Sequence, residues 1–228
     1  MDEKKEPDMP IFGKAVIFDM DGTLVDSTKA DFLAWQRLFS HYNKKLTFED
    51  YIPLLGIKSA QVVKEFLPVK NEEEVQFALT RKLVFFHEII SQNGIYPVPF
   101  ADVFVKQINR LNVPLALATS SRRAKMEMVM EKLNLLIYFD TVVTGGDVKN
   151  GKPSPDIFLH AAEKLSVSPE NCIVFEDAQN GVKAAKNAGM KCVALATDLT
   201  RNSLQEADLI IDTFENLSFP NVCFQLNL

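Results

Sequence analysis

Two aspartates, Asp19 and Asp21, close the short apolar run "AVIF" at 15–18 with a single methionine between them. In extended backbone, residues i and i+2 point to the same side, so the two carboxylates share a site. Like charges held together repel unless a cation neutralises them or one keeps a proton, and either solution suits a nucleophile working beside a general acid/base. Gly22 then lets the chain turn sharply, and Thr23 supplies a hydroxyl. Aspartates at strand ends are also common turn and capping residues, so the pair by itself does not establish chemistry.

Three further segments carry the argument. "LALATSS" ends in Thr119, Ser120 and Ser121, just before a helix expected to begin near Arg122. The free N–H groups and dipole of such a helix start favour an anion, and a hydroxyl there either caps the helix or helps hold a phosphate. "GKPSPDIF" presents Lys152 on a loop stiffened by Pro153 and Pro155. "CIVFED" closes an apolar run with Glu176 and Asp177, oxygen donors of the kind a hard divalent cation such as Mg²⁺ takes. Two acid pairs, a hydroxyl cluster and a lysine, each ending an expected strand or opening the next helix, point to one Mg²⁺ and phosphate site.

Two nucleotide motifs are excluded. "GDVKNGK" (146–152) fits the start of a P-loop, but Pro153 stands where that motif needs a hydroxyl and a backbone donor. The dinucleotide pattern GxGxxG is absent.

The elements that must position these residues follow from periodicity. Short β-branched runs at 15–18, 115–119, 141–144, 172–176, 192–197 and 208–211 read as buried parallel strands. Helix-length stretches separate the later ones, and Gly189 is placed to end the helix before the fifth strand. Strand alternating with helix predicts an α/β fold, a Rossmann-like, doubly wound, mainly parallel sheet with its ligand site beyond the carboxyl ends of the strands. Residues 28–93 break the rhythm: apolar spacing of three and four predicts an all-helical cap inserted into a core formed by 1–27 and 94–228. Within it, Trp35, Phe39, Phe77 and Phe85 are expected to pack helices together, and Arg81 and Lys82 to lie on a solvated helix face, with a position facing the substrate as the alternative.

The 228 residues are 47% hydrophobic with a net charge of −5, long enough for a sizeable core plus a small accessory unit. The charge gives no basic footprint for nucleic acid or an anionic membrane. The charged N-terminal stretch lacks the apolar centre of a signal peptide, and no apolar run approaches a membrane span, so a cytoplasmic protein is expected. Cys172 and Cys192 are expected to be buried free thiols, and His41, His87 and His160 have no metal-ligand spacing.

The segments "DMDGT", "LALATSS", "GKPSPD" and "VFEDAQNGV" resemble, in order, the four motifs of the haloacid dehalogenase-like phosphatases, and more closely the helical-cap branch that includes β-phosphoglucomutase. The resemblance implies a phosphatase acting on a small phosphorylated metabolite, with Asp19 as the nucleophile that becomes an aspartyl-phosphate and Asp21 as general acid/base. Thr119, Ser120 and Lys152 would bind phosphate. Mg²⁺ would be held by Asp19, the Asp21 carbonyl and Asp177, with Glu176 direct or through water. β-Phosphoglucomutases carry a histidine where Asp31 stands and an arginine in the segment that here reads "LLGIKSAQ", where Lys58 cannot act as a bidentate clamp. These departures favour a phosphatase over a phosphomutase; a non-catalytic phospho-ligand binder is disfavoured because both aspartates are present. A monomer is expected.

Overall fold

A computed structural model describes residues 13–196 and 200–228. The strands are β1 (Ala15–Phe18), β2 (Leu115–Thr119), β3 (Thr141–Thr144), β4 (Cys172–Glu176), β5 (Lys191–Leu195) and β6 (Leu209–Ile211). The first four have the bounds expected from sequence; β5 and β6 begin one residue before and one after. Thr197, the expected end of the fifth run, and the N-terminal stretch 1–12 lie outside the described residues. The α-helices are α1 (Thr28–His41), α2 (Phe48–Tyr51), α3 (Ser59–Phe66), α4 (Glu72–Asn93), α5 (Ala101–Arg110), α6 (Arg123–Lys132), α7 (Asp156–Leu165), α8 (Gln179–Asn187) and α9 (Phe219–Gln225).

The strands pair in the order β3-β2-β1-β4-β5-β6, every pair parallel. In this doubly wound order the chain reverses direction across the sheet between β1 and β4, which opens a crevice at their carboxyl ends. Alternate residues point to opposite faces. Val16, Phe18, Leu117, Phe175 and Val193 build one apolar face, where Phe18 stacks on Phe175 with ring centroids 4.8 Å apart and meets Phe104 of α5 edge-on. Ala15, Ala116, Ala118, Cys192 and Ala194 form the other face, whose small side chains admit α7 and α8 closely. Gly189, at φ +73, follows Ala188, the C-cap of α8, and so closes that helix as expected.

Residues 28–93 hold helices and no strand among the described residues. Trp35, Leu38, Phe39, Val63 and Leu79 form an apolar cluster of their own. Phe86, Ile89 and Ile90 of α4 continue instead into the larger core, which ties the base of the helical segment to the sheet. The two connections run side by side, with the Val98 N–H donating to the Leu24 carbonyl and the Asp26 N–H to the Tyr96 carbonyl.

Two expectations fail here. Phe77 is 54% exposed and packs no core; it and Phe85 flank the Arg81 guanidinium, 5.7 and 5.8 Å from the ring centroids, because 77, 81 and 85 stack along one helix face. Lys82 is not on a solvated face but is 6% exposed. It lies on the stripe of α4 that holds Ala78, Leu79 and Phe86, so packing α4 buries it.

All three cysteines are buried and unpaired, and burial lifts the Cys172 thiol to about 11, which suits inert packing. No described helix is long and apolar enough to cross a membrane.

Candidate active site

The parallel register of β1 and β4 pairs Phe18 with Phe175, and the Asp19 N–H donates to the Phe175 carbonyl at 2.9 Å. Asp19 and Glu176 therefore emerge side by side. Lys152, fully buried on the loop before α7, donates from Nζ to Asp19 Oδ1 and to Glu176 Oε1, each at 2.6 Å. The other Glu176 oxygen accepts the N–H groups of Asp177 and Ala178 at 2.8 and 2.9 Å. Both oxygens of Glu176 are thus occupied by protein donors.

Asp177 sits across from the turn after β1, where its Oδ1 accepts from Thr23 Oγ1 at 3.1 Å. Only glycine fits at residue 22: φ is +84, and a Cβ would stand 2.1 Å from Asp177 Oδ2. At Gly181 a Cβ would stand 1.7 Å from Glu176 Oε1, so the missing side chain lets α8 begin beneath that carboxylate.

The electrostatics of this cluster are unbalanced. Burial, opposed by Lys152 and reinforced by Glu176 and Asp21, raises the Asp19 carboxyl to about 7. Burial, Glu176 and Asp19 together push Asp177 well above the usual carboxylate range. Burial alone would lower Lys152, but Asp19 and Glu176 outweigh it and hold the ammonium above its usual range. Among the described residues, three carboxyl groups stand by one ammonium, which bonds two of them.

A second cluster begins at Asp21 and reaches the helical segment. Asp21 accepts from Ser27 Oγ, from Ser121 Oγ at 2.6 Å and from Lys125 Nζ at 2.8 Å. Lys125 also donates to Asp31 Oδ1 at 2.7 Å, which takes Lys82 Nζ at 2.9 Å, while Asp31 Oδ2 accepts the Tyr51 hydroxyl at 3.2 Å. Burial would raise Asp31, but Lys125 and Lys82 outweigh it and hold the carboxyl well below its usual range. Burial lifts the Tyr51 hydroxyl well above its usual range, with Asp31 and Asp21 adding to it, so it remains a donor. Sequence reasoning assigned no chemistry to Lys125, Tyr51 or Ser27, and left Asp31 as a departure from a relative.

The hydroxyl cluster divides its roles. Thr119 Oγ1, buried at the end of β2, accepts the Ser121 N–H at 3.1 Å, and no side chain caps the start of α6. Ser120 Oγ donates to the Gly56 carbonyl at 2.6 Å, across to the helical segment. Asn180 binds the Leu55 carbonyl and Lys58 binds the Val148 carbonyl, so the segment around Gly56 lies closed over the strand ends. Beneath it is a small cavity of about 50 Å³ lined by Asp19, Asp21 and Thr119 from the core and by Asp31, Tyr51 and Lys82 from above. Among the described residues no three acid, histidine or cysteine side chains close into a ready-made metal cage.

Residues 16–195 match the model of the haloacid dehalogenase-like hydrolase family. The chain is 34% identical over 178 residues to the fructose-1-phosphate phosphatase YqaB of Escherichia coli, covering 78% of this chain and 94% of that one. It is 35% identical over 183 residues to a phosphorylated carbohydrates phosphatase of Thermotoga maritima, covering 78% and 82%. In three dimensions it is similar to a β-phosphoglucomutase from Clostridium difficile, with a TM-score of 0.83, 27% identity and coverage of 94% and 97%. With its doubly wound sheet, its acids at the switch point and these similarities, the chain belongs to the haloacid dehalogenase-like hydrolase family.

Proposed function

We propose that this family member is a Mg²⁺-dependent phosphatase that hydrolyses the monophosphate of a small metabolite, a sugar, polyol or nucleoside phosphate, through an aspartyl-phosphate on Asp19. The observation that carries it is the Asp19 carboxylate held 2.6 Å from the buried Lys152 ammonium, with Asp21 beside it at the mouth of one closed cavity. Asp19 attacks phosphorus, and the departing ester oxygen takes a proton from Asp21. Water then attacks the acyl phosphate, returns a proton to Asp21 and releases orthophosphate. Lys152 and the Thr119 hydroxyl, with N–H groups near Ser120, bind the phosphoryl oxygens, and the helices of 28–93 act as a cap that excludes water.

The donor set fits Mg²⁺. Three carboxyl groups face one ammonium among the described residues, so their full ionisation would leave two negative charges for a divalent cation to meet, and Asp177 accepts a single side-chain hydrogen bond among the described residues. Mg²⁺ is usually held by one or two carboxylates together with waters and substrate phosphate, so no complete protein cage is required. Asp19, the Asp21 carbonyl and Asp177 would hold it, with Glu176 engaged by Lys152 and reaching it through water. The ion would neutralise charge developing on the transferring phosphoryl group.

Release of phosphate from acetyl phosphate with Mg²⁺ tests the reading. Asp19→Asn should lower kcat about a thousandfold or more, since it removes the nucleophile; equal turnover by variant and wild type would reject the covalent route. The likeness to a β-phosphoglucomutase raises phosphomutase activity as a second reading. Conversion of β-glucose 1-phosphate to glucose 6-phosphate without matching phosphate release would establish it.

A further inference from the structure

Two lysines reach the cavity, Lys82 from the cap and Lys125 from α6 of the core, the usual means of binding an anion, yet neither offers a free charge. Lys125 is shared between Asp21 and Asp31, and Lys82 is bound to Asp31. Two ammoniums and two carboxylates cancel. The pairs are also fixed in place: the Lys82 ammonium lies 4.2 Å from the Trp35 ring centroid and that of Lys125 lies 4.5 Å from the Phe86 ring, with side-chain exposures of 8% and 7%. Asp31 lies in the same cavity as Asp19, so the groups opposite the phosphate site offer a second anion no unpaired cation.

Resting on the phosphatase reading, we infer that Asp31, clamped between Lys82 and Lys125, is a specificity-determining residue. It rejects substrates bearing a second phosphate and admits monophosphates whose remainder is uncharged and rich in hydroxyls.

The physical reason has two parts. A second phosphate placed under the cap must give up its water beside a carboxylate and finds both ammoniums already paired, so nothing repays its desolvation; this is discrimination by withheld attraction. A hydroxyl meets no such penalty. An ionised carboxylate has about four acceptor positions. Lys82, Lys125 and Tyr51 fill three on Asp31, leaving capacity for a hydroxyl donor but none for an anion. Burial would favour the neutral acid, but the two flanking ammoniums keep Asp31 ionised.

The test measures competitive inhibition of acetyl phosphate hydrolysis by fructose 1-phosphate and by fructose 1,6-bisphosphate. In the wild type the bisphosphate should bind at least about tenfold more weakly, the scale of a like charge set against a fixed carboxylate. Asp31→Asn keeps the shape, removes the charge and should shrink that gap about tenfold or more, whereas Asp31→Glu should retain it. A residue that served only to hold the cap shut would weaken both inhibitors together and leave their ratio unchanged. Should Asp31→Asn fail to fold, Lys82→Met gives the opposite readout: Lys125 alone then serves Asp21 and Asp31, one negative charge is left over and the gap should widen. Equal inhibition by the two sugars in the wild type, inhibition by neither, or a ratio unmoved by both variants overturns the inference while leaving the phosphatase reading intact. No hydrolysis of acetyl phosphate would instead remove that reading, and this inference with it.

Discussion

The ionic clusters around Asp19 and around Asp31 use the same kinds of side chain at similar burial, yet their acids are displaced in opposite directions. Asp19 is raised to about 7, while Asp31 is held below the carboxylate range. Burial pushes both upward. The difference lies in partners: Asp19 shares one ammonium with Glu176, and Asp177 adds charge nearby, whereas Asp31 has two ammoniums on one oxygen and a hydroxyl on the other. Buried charge is tolerated only when it is paired and hydrogen-bonded. The strand-end cluster therefore needs a further cation to be complete, and the cap-side cluster does not. One is arranged to take up ligands, and the other to stay as it is.

The sharpest way to break this contrast is to remove Lys152, the one ammonium of the strand-end cluster among the described residues. Lys152→Met leaves Asp19 and Glu176 buried without their cation, and breaking such a pair costs about 3–5 kcal/mol. Urea unfolding at fixed Mg²⁺ should show a midpoint lowered by that free energy divided by the slope, with the slope itself unchanged. A midpoint within error of the wild type would mean that Lys152 is not what holds the carboxylates together.

A smaller effect links the same cluster to pH. In the metal-free protein the folded state keeps a proton on Asp19 up to about 7, while the unfolded chain loses it near the ordinary carboxylate value of about 3.9. This contribution to stability is fully present below about pH 4 and fades as pH rises through about 7. Mg²⁺ must displace that proton, so it should stabilise the protein more at high pH than at low. Between about pH 8 and about pH 5.5 the increment from Mg²⁺ should shrink by about 2 kcal/mol, with Asp177 acting in the same direction. Thermal unfolding with and without Mg²⁺ at the two values measures it. An increment independent of pH would show that the surplus charge at the strand ends is not what the metal meets.

The same contrast governs how much of the site was legible in the sequence. Parallel strands buried on both faces read as unbroken apolar runs, so β1 to β4 have their expected bounds, and the acids, hydroxyls and lysine that end those runs stand out. The cap-side cluster is built from residues hidden inside helical patterns. Asp31 lies on one stripe with Ala34, Trp35 and Leu38, Lys82 with Ala78, Leu79 and Phe86, and Lys125 one turn before Val129. A charged residue on an apolar stripe is the signal that was available. What periodicity cannot supply is the partner, because the pairs to Asp31 span 51 and 94 positions along the chain and depend on how three helices dock. Phe77 failed for the converse reason: helical spacing marked it as apolar packing, while the surface it covers is an arginine.

The smallest effect should come from the neutral member of the balanced cluster, and it separates charge from hydrogen bonding there. Tyr51→Phe removes one donor from Asp31 and leaves both ammoniums in place. The bond is long at 3.2 Å, and the ring itself remains to pack beside Phe32 and Phe48. Losing a single hydrogen bond to a charged acceptor costs about 1–2 kcal/mol, well below the loss expected for Lys152→Met. Since no charge changes, the preference between mono- and bisphosphate inhibitors should stay within about twofold of wild type. Urea unfolding and the paired inhibition constants measure the two quantities on one variant. If Tyr51→Phe destabilised the protein as much as Lys152→Met, hydrogen bonding rather than charge balance would be holding the cap-side cluster, and its contrast with the strand ends would be lost.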